Sequence, residues 1–313
     1  MEKLIVSSSP HIKGKITTTS IMRDVLIALS PAAVAAVVFY GIKALIMICV
    51  CVGVCIFSEF LFNIIAKKKQ TVGDLSAMVT GLLLALSLST KASIWHCVVG
   101  SVFAIVVVKC LFGGIGCNFA NPAVTARVFL LIAFGKIAGG AGTRFMSAEL
   151  SAGATPLAVI KDGEGVLPEL ADMLIGNRGG AIGEGCAIAL VLGFIYLLIR
   201  RVISWESPVV FVATVFVLSF IVKQDLNAAL YQILGGGLLI GAIFMATDYV
   251  TTPISRGGRA LFAFGCGIIT VLIRFWGDYP EGVSFAILFM NLLTPYIERL
   301  CRNKPIGGVK NEG

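Results

Sequence analysis

The chain alternates between long uncharged apolar blocks and short polar segments. The blocks, rich in Leu, Ile, Val, Ala, Phe and Gly, run for about 16 to 24 residues, the length that an α-helix needs to cross about 30 Å of hydrocarbon. The pattern predicts an all-α integral membrane protein with about ten transmembrane helices. The predicted spans are 22–40, 43–65, 74–90, 93–112, 121–135, 181–200, 207–222, 227–247, 259–276 and 282–300.

The distribution of basic residues between these spans predicts the orientation. If the N-terminus is cytoplasmic, the cytoplasmic segments collect most of the Lys and Arg residues, among them Lys3, Lys13, Lys15, Lys67, Lys68, Lys69, Lys109, Arg200 and Arg201. Because positive residues are retained on the cytoplasmic side, both termini are expected there.

The predicted spans fall into two groups of five. The two groups show weak sequence similarity, since TGLLLALSLS precedes the fourth span and the similar segment IGAIFMATDY precedes the ninth. Duplication of an odd number of spans gives an inverted repeat. We therefore divide the chain into a cytoplasmic segment (1–20), a first five-span repeat (21–135), an extracytoplasmic loop (136–180), a second five-span repeat (181–300) and a cytoplasmic tail (301–313).

Composition narrows the function classes. Hydrophobic residues make up 58% of the 313 residues and charged residues only 13%, which excludes an ordinary soluble domain. The net charge of +8 does not indicate a nucleic-acid partner, because the basic residues sit between apolar blocks, where they orient the spans during insertion into the lipid bilayer. The nine cysteines show neither CxxC nor a His at ligand spacing, so no metal site is predicted.

The polar loop contains the segment Ser151-Ala152-Gly153-Ala154-Thr155-Pro156-Leu157. Gly153 and Ala154 leave the backbone uncovered, Thr155 offers a hydroxyl group, and Pro156 fixes the following turn. A modifying enzyme could reach such a hydroxyl. The residues alone favour the simpler interpretation, in which Thr155 caps a helix that begins at Pro156.

This segment resembles the flavinylation motif of the NqrB and RnfD family, in which a threonine is joined to FMN through a phosphoester bond. The sequence departs from that motif at Ala152, where Ser or Asp is usual. Other stretches carry the resemblance further, and together they cover essentially the whole chain: Phe112-Gly113-Gly114-Ile115-Gly116-Cys117-Asn118-Phe119-Ala120-Asn121-Pro122-Ala123, Met245-Ala246-Thr247-Asp248-Tyr249-Val250-Thr251-Thr252-Pro253, Tyr279-Pro280-Glu281-Gly282-Val283 and Phe289-Met290-Asn291. The length favours the RnfD members.

The resemblance implies a multi-pass subunit of an Rnf complex in a prokaryotic cell membrane. Such a complex passes electrons between ferredoxin and NAD and couples the flow to Na+ or H+ translocation. The implied cofactor is covalent FMN on Thr155, flanked by Gly153, Ala154 and Pro156, and relatives have also been associated with non-covalent riboflavin. The implied partners are the A, B, C, E and G subunits of the Rnf complex and a flavin transferase for maturation. No catalytic residue is predicted in this chain, which would act only within the complex.

Ionisable residues near the spans are further candidates, because each costs about 2.5 to 3.5 kcal/mol at a helix centre. For Glu59, Arg127, Glu184 and Arg274, which lie close to predicted span ends, we expect the charged groups to reach the interface. Asp248 precedes a predicted helix break whose carbonyl groups could coordinate a cation. It is the ion-path candidate; the alternative is a structural cap or a pair with Arg256 or Arg259.

Two functions from other classes remain open on the sequence. A secondary transporter would explain ten spans, an inverted repeat and helices interrupted by Pro and Gly. A scaffold subunit without redox function would leave Thr155 unmodified. Covalent flavin on the chain distinguishes the electron-transfer subunit from both.

Overall fold

The computed structural model describes residues 17–135, 155–162, 167–176, 179–277, 279 and 281–301, and every regular element in those ranges is helical. The first half holds α1 (Thr18–Tyr40), α2 (Ile42–Ile65), α3 (Ser76–Ser87), α4 (Ile94–Cys110) and α5 (Pro122–Phe134). The short helices α6 (Pro156–Asp162) and α7 (Leu170–Ile175) follow. The second half holds α8 (Ala187–Ile199), α9 (Glu206–Lys223), α10 (Leu226–Leu234), α11 (Leu238–Met245), α12 (Arg256–Trp276) and α13 (Val283–Leu300).

The helical membrane architecture is confirmed. Within the described ranges, α1, α2, α9, α12 and α13 are long and apolar enough to cross a bilayer. Helices α10 and α11 pass the same test together, but they are bent by 59° at the break between them. Helices α3, α4, α5 and α8 are apolar but shorter. Nine of the predicted spans therefore overlap one of these helices each, and the span at 227–247 overlaps the bent pair α10 and α11. The number of crossings stays a prediction.

Local sequence signals explain where the helices begin and how two of them deform. Thr17 and Ser20 form a reciprocal capping box before α1, and Asn121 caps α5 ahead of Pro122 at the first helical position. The last parts of α4 (Phe103–Cys110) and α11 (Gly241–Met245) are π-helical. A π-helical turn adds a residue to each turn and often accompanies a functional site.

The two halves show similar packing. Helix α2 packs against α3 and α4, α9 packs against α10 and α12, and α1 packs against α8. The helices come close enough that a Cβ on Gly81 would lie 2.7 Å from Val52 Cα, and one on Gly193 would lie 2.3 Å from the Ala28 carbonyl oxygen. Small residues commonly permit such contacts in membranes.

A polar contact joins the first helix of each half. The Asp24 carboxylate, on α1, accepts hydrogen bonds from the Arg200 guanidinium at 3.1 to 3.4 Å and from the Tyr196 hydroxyl at 3.2 Å. Because α1 belongs to the first half and both donors belong to the second, this contact links the two halves.

Candidate functional site

Thr155 lies immediately before α6 and caps it. Its hydroxyl oxygen accepts a hydrogen bond from the Ala158 N–H group at 3.2 Å, and its carbonyl oxygen accepts one from Val159 at 3.0 Å. The side chain is only 8% exposed. The capping turn expected from the residues is present, and it does not exclude modification, because a phosphoester replaces the hydroxyl proton and leaves an oxygen that can accept. An anionic phosphate is also favoured at a helix N-terminus. Gly153 and Ala154 lie outside the described residues.

Helix α6 is docked against the break between α10 and α11. Leu157 is buried there, and a Cβ on Gly236 would lie 2.3 Å from Leu157 Cδ1. The Lys161 ammonium group donates to the Gly277 carbonyl at the end of α12. The Tyr231 hydroxyl group, on α10, donates to the Pro168 carbonyl at 2.5 Å. The described parts of the loop are therefore anchored on membrane helices.

The break itself is capped by Arg274 of α12. Its guanidinium group donates to the Gln232 carbonyl at 2.5 Å and to the Gly235 and Gly236 carbonyls at 3.2 Å each. It also donates to the Gln232 side-chain oxygen at 3.1 Å. These are the carbonyl groups that the end of a helix leaves without intrahelical partners. Gly236 and Gly237 have φ values of +63° and +67°, so the turn requires glycine.

A buried ion pair lies next to the break. Arg127 of α5 pairs with Glu281, which precedes α13, and its guanidinium lies 4.0 Å from the Glu184 carboxylate. A Cβ on Gly237 would lie 2.9 Å from Glu184 Oε1. Charged residues from both halves thus meet beside the break on which α6 is docked.

The expectation that four charged residues reach the interface is wrong. Glu59, Arg127, Glu184 and Arg274 are each 4% exposed or less. They are buried between helices because each has partners from elements distant in sequence, such as Glu281 for Arg127 and the α10 carbonyls for Arg274. Pairing lowers the free-energy cost of burying these charged groups, so they do not need to extend to the membrane interface.

Lys109 gives a second correction, since the basic-residue pattern counts it among the cytoplasmic topology signals. It is 2% exposed, and its ammonium group donates to Glu59 at 2.8 Å and to Ser76 at 2.6 Å. Glu59 also accepts from the Thr71 hydroxyl at 2.6 Å. This network joins α2, α3 and the π-helical part of α4.

Three of the stretches that carry the family resemblance meet in space. The Asn121 side chain donates to the Met245 carbonyl at 3.4 Å while its oxygen caps α5. The Asn291 amide, oriented to satisfy its neighbours, donates to the Thr251 carbonyl at 3.2 Å and accepts from the Asn121 N–H at 3.1 Å. These asparagines therefore tie α5 to α11 and to the loop that contains Asp248.

Asp248 lies in the loop between α11 and α12. Its carboxylate accepts from the Thr251 hydroxyl at 3.1 Å and from the Val250 N–H at 3.4 Å. Burial raises the pKa of this carboxyl above its usual range, while those two hydrogen bonds oppose the rise. Arg256 pairs instead with Glu206, and Arg259 donates to Ser204.

Asp248 also borders a cavity of about 90 Å³ between the halves. Polar residues from the first half line the same cavity, namely Ser76, Thr80, Lys109, Asn118 and Asn121. The Asn118 side-chain oxygen is buried there without a hydrogen-bond partner in the described structure. Asp248 accepts hydrogen bonds from its own loop, as a structural cap does. It does not pair with Arg256 or Arg259, which bond to Glu206 and Ser204 instead. Its role in an ion path stays a prediction.

These features define a helical integral membrane protein in which a polar loop segment docks on a broken apolar helix and charged side chains are buried between two halves. The chain belongs to the family described as NQR2, RnfD, RnfE, which matches residues 5–307. It is 44% identical over 311 residues to the D subunit of the Na(+)-translocating ferredoxin:NAD(+) oxidoreductase complex of Acetobacterium woodii, covering 98% of this chain and 96% of that protein.

Two further relatives extend the comparison. The chain is 36% identical over 319 residues to the D subunit of the proton-translocating ferredoxin:NAD(+) oxidoreductase complex of Clostridium ljungdahlii, with 96% of each chain covered. It is 31% identical over 313 residues to the D subunit of the ion-translocating oxidoreductase complex of Methanosarcina acetivorans, with 100% of each covered. The likeness spans whole chains, and the relatives are named as subunits of oxidoreductase complexes.

Proposed function

We propose that this chain is the D-type membrane subunit of an ion-translocating ferredoxin:NAD+ oxidoreductase in a prokaryotic cell membrane. The observation that carries the proposal is the full-length likeness to relatives that bear that name. The names of those relatives differ in the coupling ion, Na+ in one and the proton in the other. For this chain we propose coupling to Na+ or H+ as a class. The partners are then the A, B, C, E and G subunits of the Rnf complex.

The chain's contribution to electron transfer is an FMN held on Thr155 through a phosphoester bond. FMN can take up and release one or two electrons. Thr155 would hold the cofactor through its side-chain oxygen, the atom that accepts from the Ala158 N–H group. Leu157 and Lys161 fix α6 on the broken helix and at the end of α12, and so limit where the cofactor can lie. Because Thr155 is buried, the flavin transferase acts before α6 docks.

The membrane topology follows from the same proposal. Helices α10 and α11 form one broken span, which brings the number of spans to ten and the number in each half to five. The similar packing of α2 with α3 and α4, and of α9 with α10 and α12, supports two inverted repeats. Basic residues in the polar segments support cytoplasmic termini; residues 1–16 and 302–313 lie outside the described residues.

Asp248 is retained as the ion-path residue. It borders the cavity between the halves, and its raised pKa suits a group that takes up and releases a positive ion. In complexes reconstituted into vesicles, Asp248→Asn is expected to reduce ion transport severalfold while FMN remains on Thr155. Transport equal to wild type would remove Asp248 from the path.

Mass spectrometry of the native, membrane-extracted chain tests the flavin proposal. The chain is co-expressed with its flavin transferase, and wild type is compared with Thr155→Ala. We expect an FMN-sized mass on the wild-type peptide that contains Thr155 and none on the variant. Ser151→Ala is the matched control, because it removes the other hydroxyl of the motif and should leave the adduct in place. Solvent extraction of the same sample releases any non-covalent riboflavin, which the proposal includes as a second flavin.

The outcomes separate the rival functions. Covalent flavin on this chain is incompatible with a transporter or scaffold as its complete function. A wild-type peptide without the added mass refutes the FMN relay and leaves the scaffold subunit as the function to test within the same complex. An adduct lost in Ser151→Ala but kept in Thr155→Ala would move the attachment to the other hydroxyl and refute the assignment of Thr155.

A further inference from the structure

A small cationic pocket lies where α6, α9, α10 and α12 meet. The cavity measures about 70 Å³, which is room for a few waters or for one small anionic group. Three of its seven lining residues are cationic and none of the seven is acidic: Leu157, Ile160, Lys161, Lys223, Gln232, Arg274 and Phe275. Glu184 and Glu281 engage Arg127 and do not line it. Both carboxylates act on Arg274 electrostatically and offset part of its charge. The positive charge that the pocket offers to a ligand therefore comes from Lys161 and Lys223, which line it without an acidic residue beside them.

The pocket lies at the level where two membrane spans end. Lys223 is the last residue of α9, and Arg274 and Phe275 are in the last turn of α12. The Lys223 ammonium group lies 5.8 Å from the centre of the Phe275 ring. Both helices are long and apolar enough to cross a bilayer, so their shared end is at the depth of the lipid headgroups.

The outer side of the pocket is bordered by exposed apolar residues that can contact lipid, and its inner side is formed by buried protein groups. Ile221, Val222 and Trp276 are exposed beside the pocket, where they can contact acyl chains and the interface. On the inner side, the buried Arg274 Nε atom has no hydrogen-bond partner in the described structure. A charged donor left without a partner is costly when buried, and a bound anionic oxygen would supply one.

The pocket is distinct from the proposed flavin attachment. Thr155 is at the N-terminus of α6, and Lys161 lies six residues along the chain, about 9 Å further at 1.5 Å per residue. A phosphate bonded to the Thr155 oxygen therefore remains at the other end of α6. A phosphate in the pocket is therefore a second phosphate and not the one bonded to Thr155.

We propose that this pocket binds the phosphate group of an anionic phospholipid. The phosphate contacts Lys161 on α6 and Lys223 on α9, while the acyl chains lie along the exposed apolar residues of α9 and α12. Because α6 follows Thr155, the lipid holds the segment that carries Thr155 against the membrane helices. The binding does not require flavin on Thr155.

Native mass spectrometry and lipid titration of the full chain test this proposal. The protein is placed in nanodiscs of phosphatidylcholine, and phosphatidylglycerol is added at increasing mole fraction. Lys161→Gln/Lys223→Gln is compared with wild type and with Lys67→Gln/Lys68→Gln. The control removes two exposed lysines, one of which also lies over an aromatic ring, Lys68 over Phe62 at 5.6 Å.

We expect the Lys161/Lys223 variant to bind phosphatidylglycerol about tenfold more weakly than wild type, because both of these lysines line the pocket that takes the phosphate, whereas Lys67 and Lys68 do not. The control should bind as wild type does, and Thr155→Ala should also. Equal affinity in the Lys161/Lys223 variant overturns the proposal, provided that its melting temperature in phosphatidylcholine alone matches wild type. If inorganic phosphate displaces the lipid or stabilises the chain as well as the lipid does, the pocket takes free phosphate and the lipid assignment is wrong.

Discussion

Replacing Arg274 with Met is expected to destabilise the protein more than any exposed charge substitution on the same helix. Met keeps much of the length and apolar volume of the arginine stem but cannot donate. The carbonyls of Gln232, Gly235 and Gly236 then lose their donors at a break in an apolar helix, where water is scarce. The perturbation therefore isolates the capping of the break.

The magnitude follows from the bonds that are lost. Hydrogen bonds to charged groups contribute about 1.5 to 3 kcal/mol each in water-soluble proteins, whereas interhelical bonds in membranes average about 0.6 kcal/mol. Three backbone carbonyls and the Gln232 side chain lose their donors. We expect Arg274→Met to lower the free energy of unfolding by about 2 to 5 kcal/mol, the upper part of the range holding if no water enters.

Reversible unfolding in mixed detergent and SDS micelles measures this free energy. Arg256→Met is the matched control on α12, because its side chain is 86% exposed and pairs with Glu206 only at 3.5 Å. Such a surface pair contributes about 0 to 1 kcal/mol. Arg274→Lys keeps the charge but not the planar fork, and it should fall between wild type and Arg274→Met. If Arg274→Met costs no more than Arg256→Met, the guanidinium does not hold the break together.

Two further substitutions probe the same architecture. Lys109→Met and Glu59→Gln should each cost about 3 to 5 kcal/mol, because each leaves a buried partner, and the double variant should recover most of that loss in a double-mutant cycle of unfolding free energies. Gly236→Ala should speed tryptic cleavage at Lys161 severalfold, because the added Cβ would lie 2.3 Å from Leu157 Cδ1 and would displace α6. Gly114→Ala is its control, since Gly114 also has a positive φ but has open space around it.

Clear results would contradict these expectations. Strictly additive costs at Lys109 and Glu59 would mean that the two side chains do not stabilise each other. Cleavage at Lys161 that is as fast in Gly114→Ala as in Gly236→Ala would mean that the space around Gly236, which Leu157 and Arg274 occupy, does not control the docking of α6.

The sequence predicts the helical elements well, because apolar block length reports directly on membrane helices. It predicts a continuous span at 227–247, whereas the structure breaks between Leu234 and Leu238. Hydropathy averaged over a window cannot detect that break. The three glycines from Gly235 to Gly237 indicate close approach, but the break also depends on Arg274, about forty positions away.

The contacts of the candidate site can be predicted where the partners are close in sequence, but not where they are far apart in sequence. Thr155 as a helix cap follows from its own neighbours, and the structure shows that cap. The pairing of Arg127 with Glu281 joins residues 154 positions apart, and no local pattern identifies such partners. For the same reason the sequence places Lys109 among the topology signals, although it lies buried against Glu59, and it matches Asp248 with arginines that bond elsewhere.

The shortness of α3 bears on how the protein is made. Its twelve residues extend about 18 Å, well short of the roughly 30 Å hydrocarbon core. Nearly every side chain of α3 is buried against other helices, so its ends are screened from lipid only once those helices surround it. A nascent chain that ends just after α3 lacks α4, α5 and the segment Ile182–Glu184, all of which pack against α3. We therefore expect α3 to stay at the translocon until these later parts of the chain emerge, and to integrate together with them instead of as a single segment.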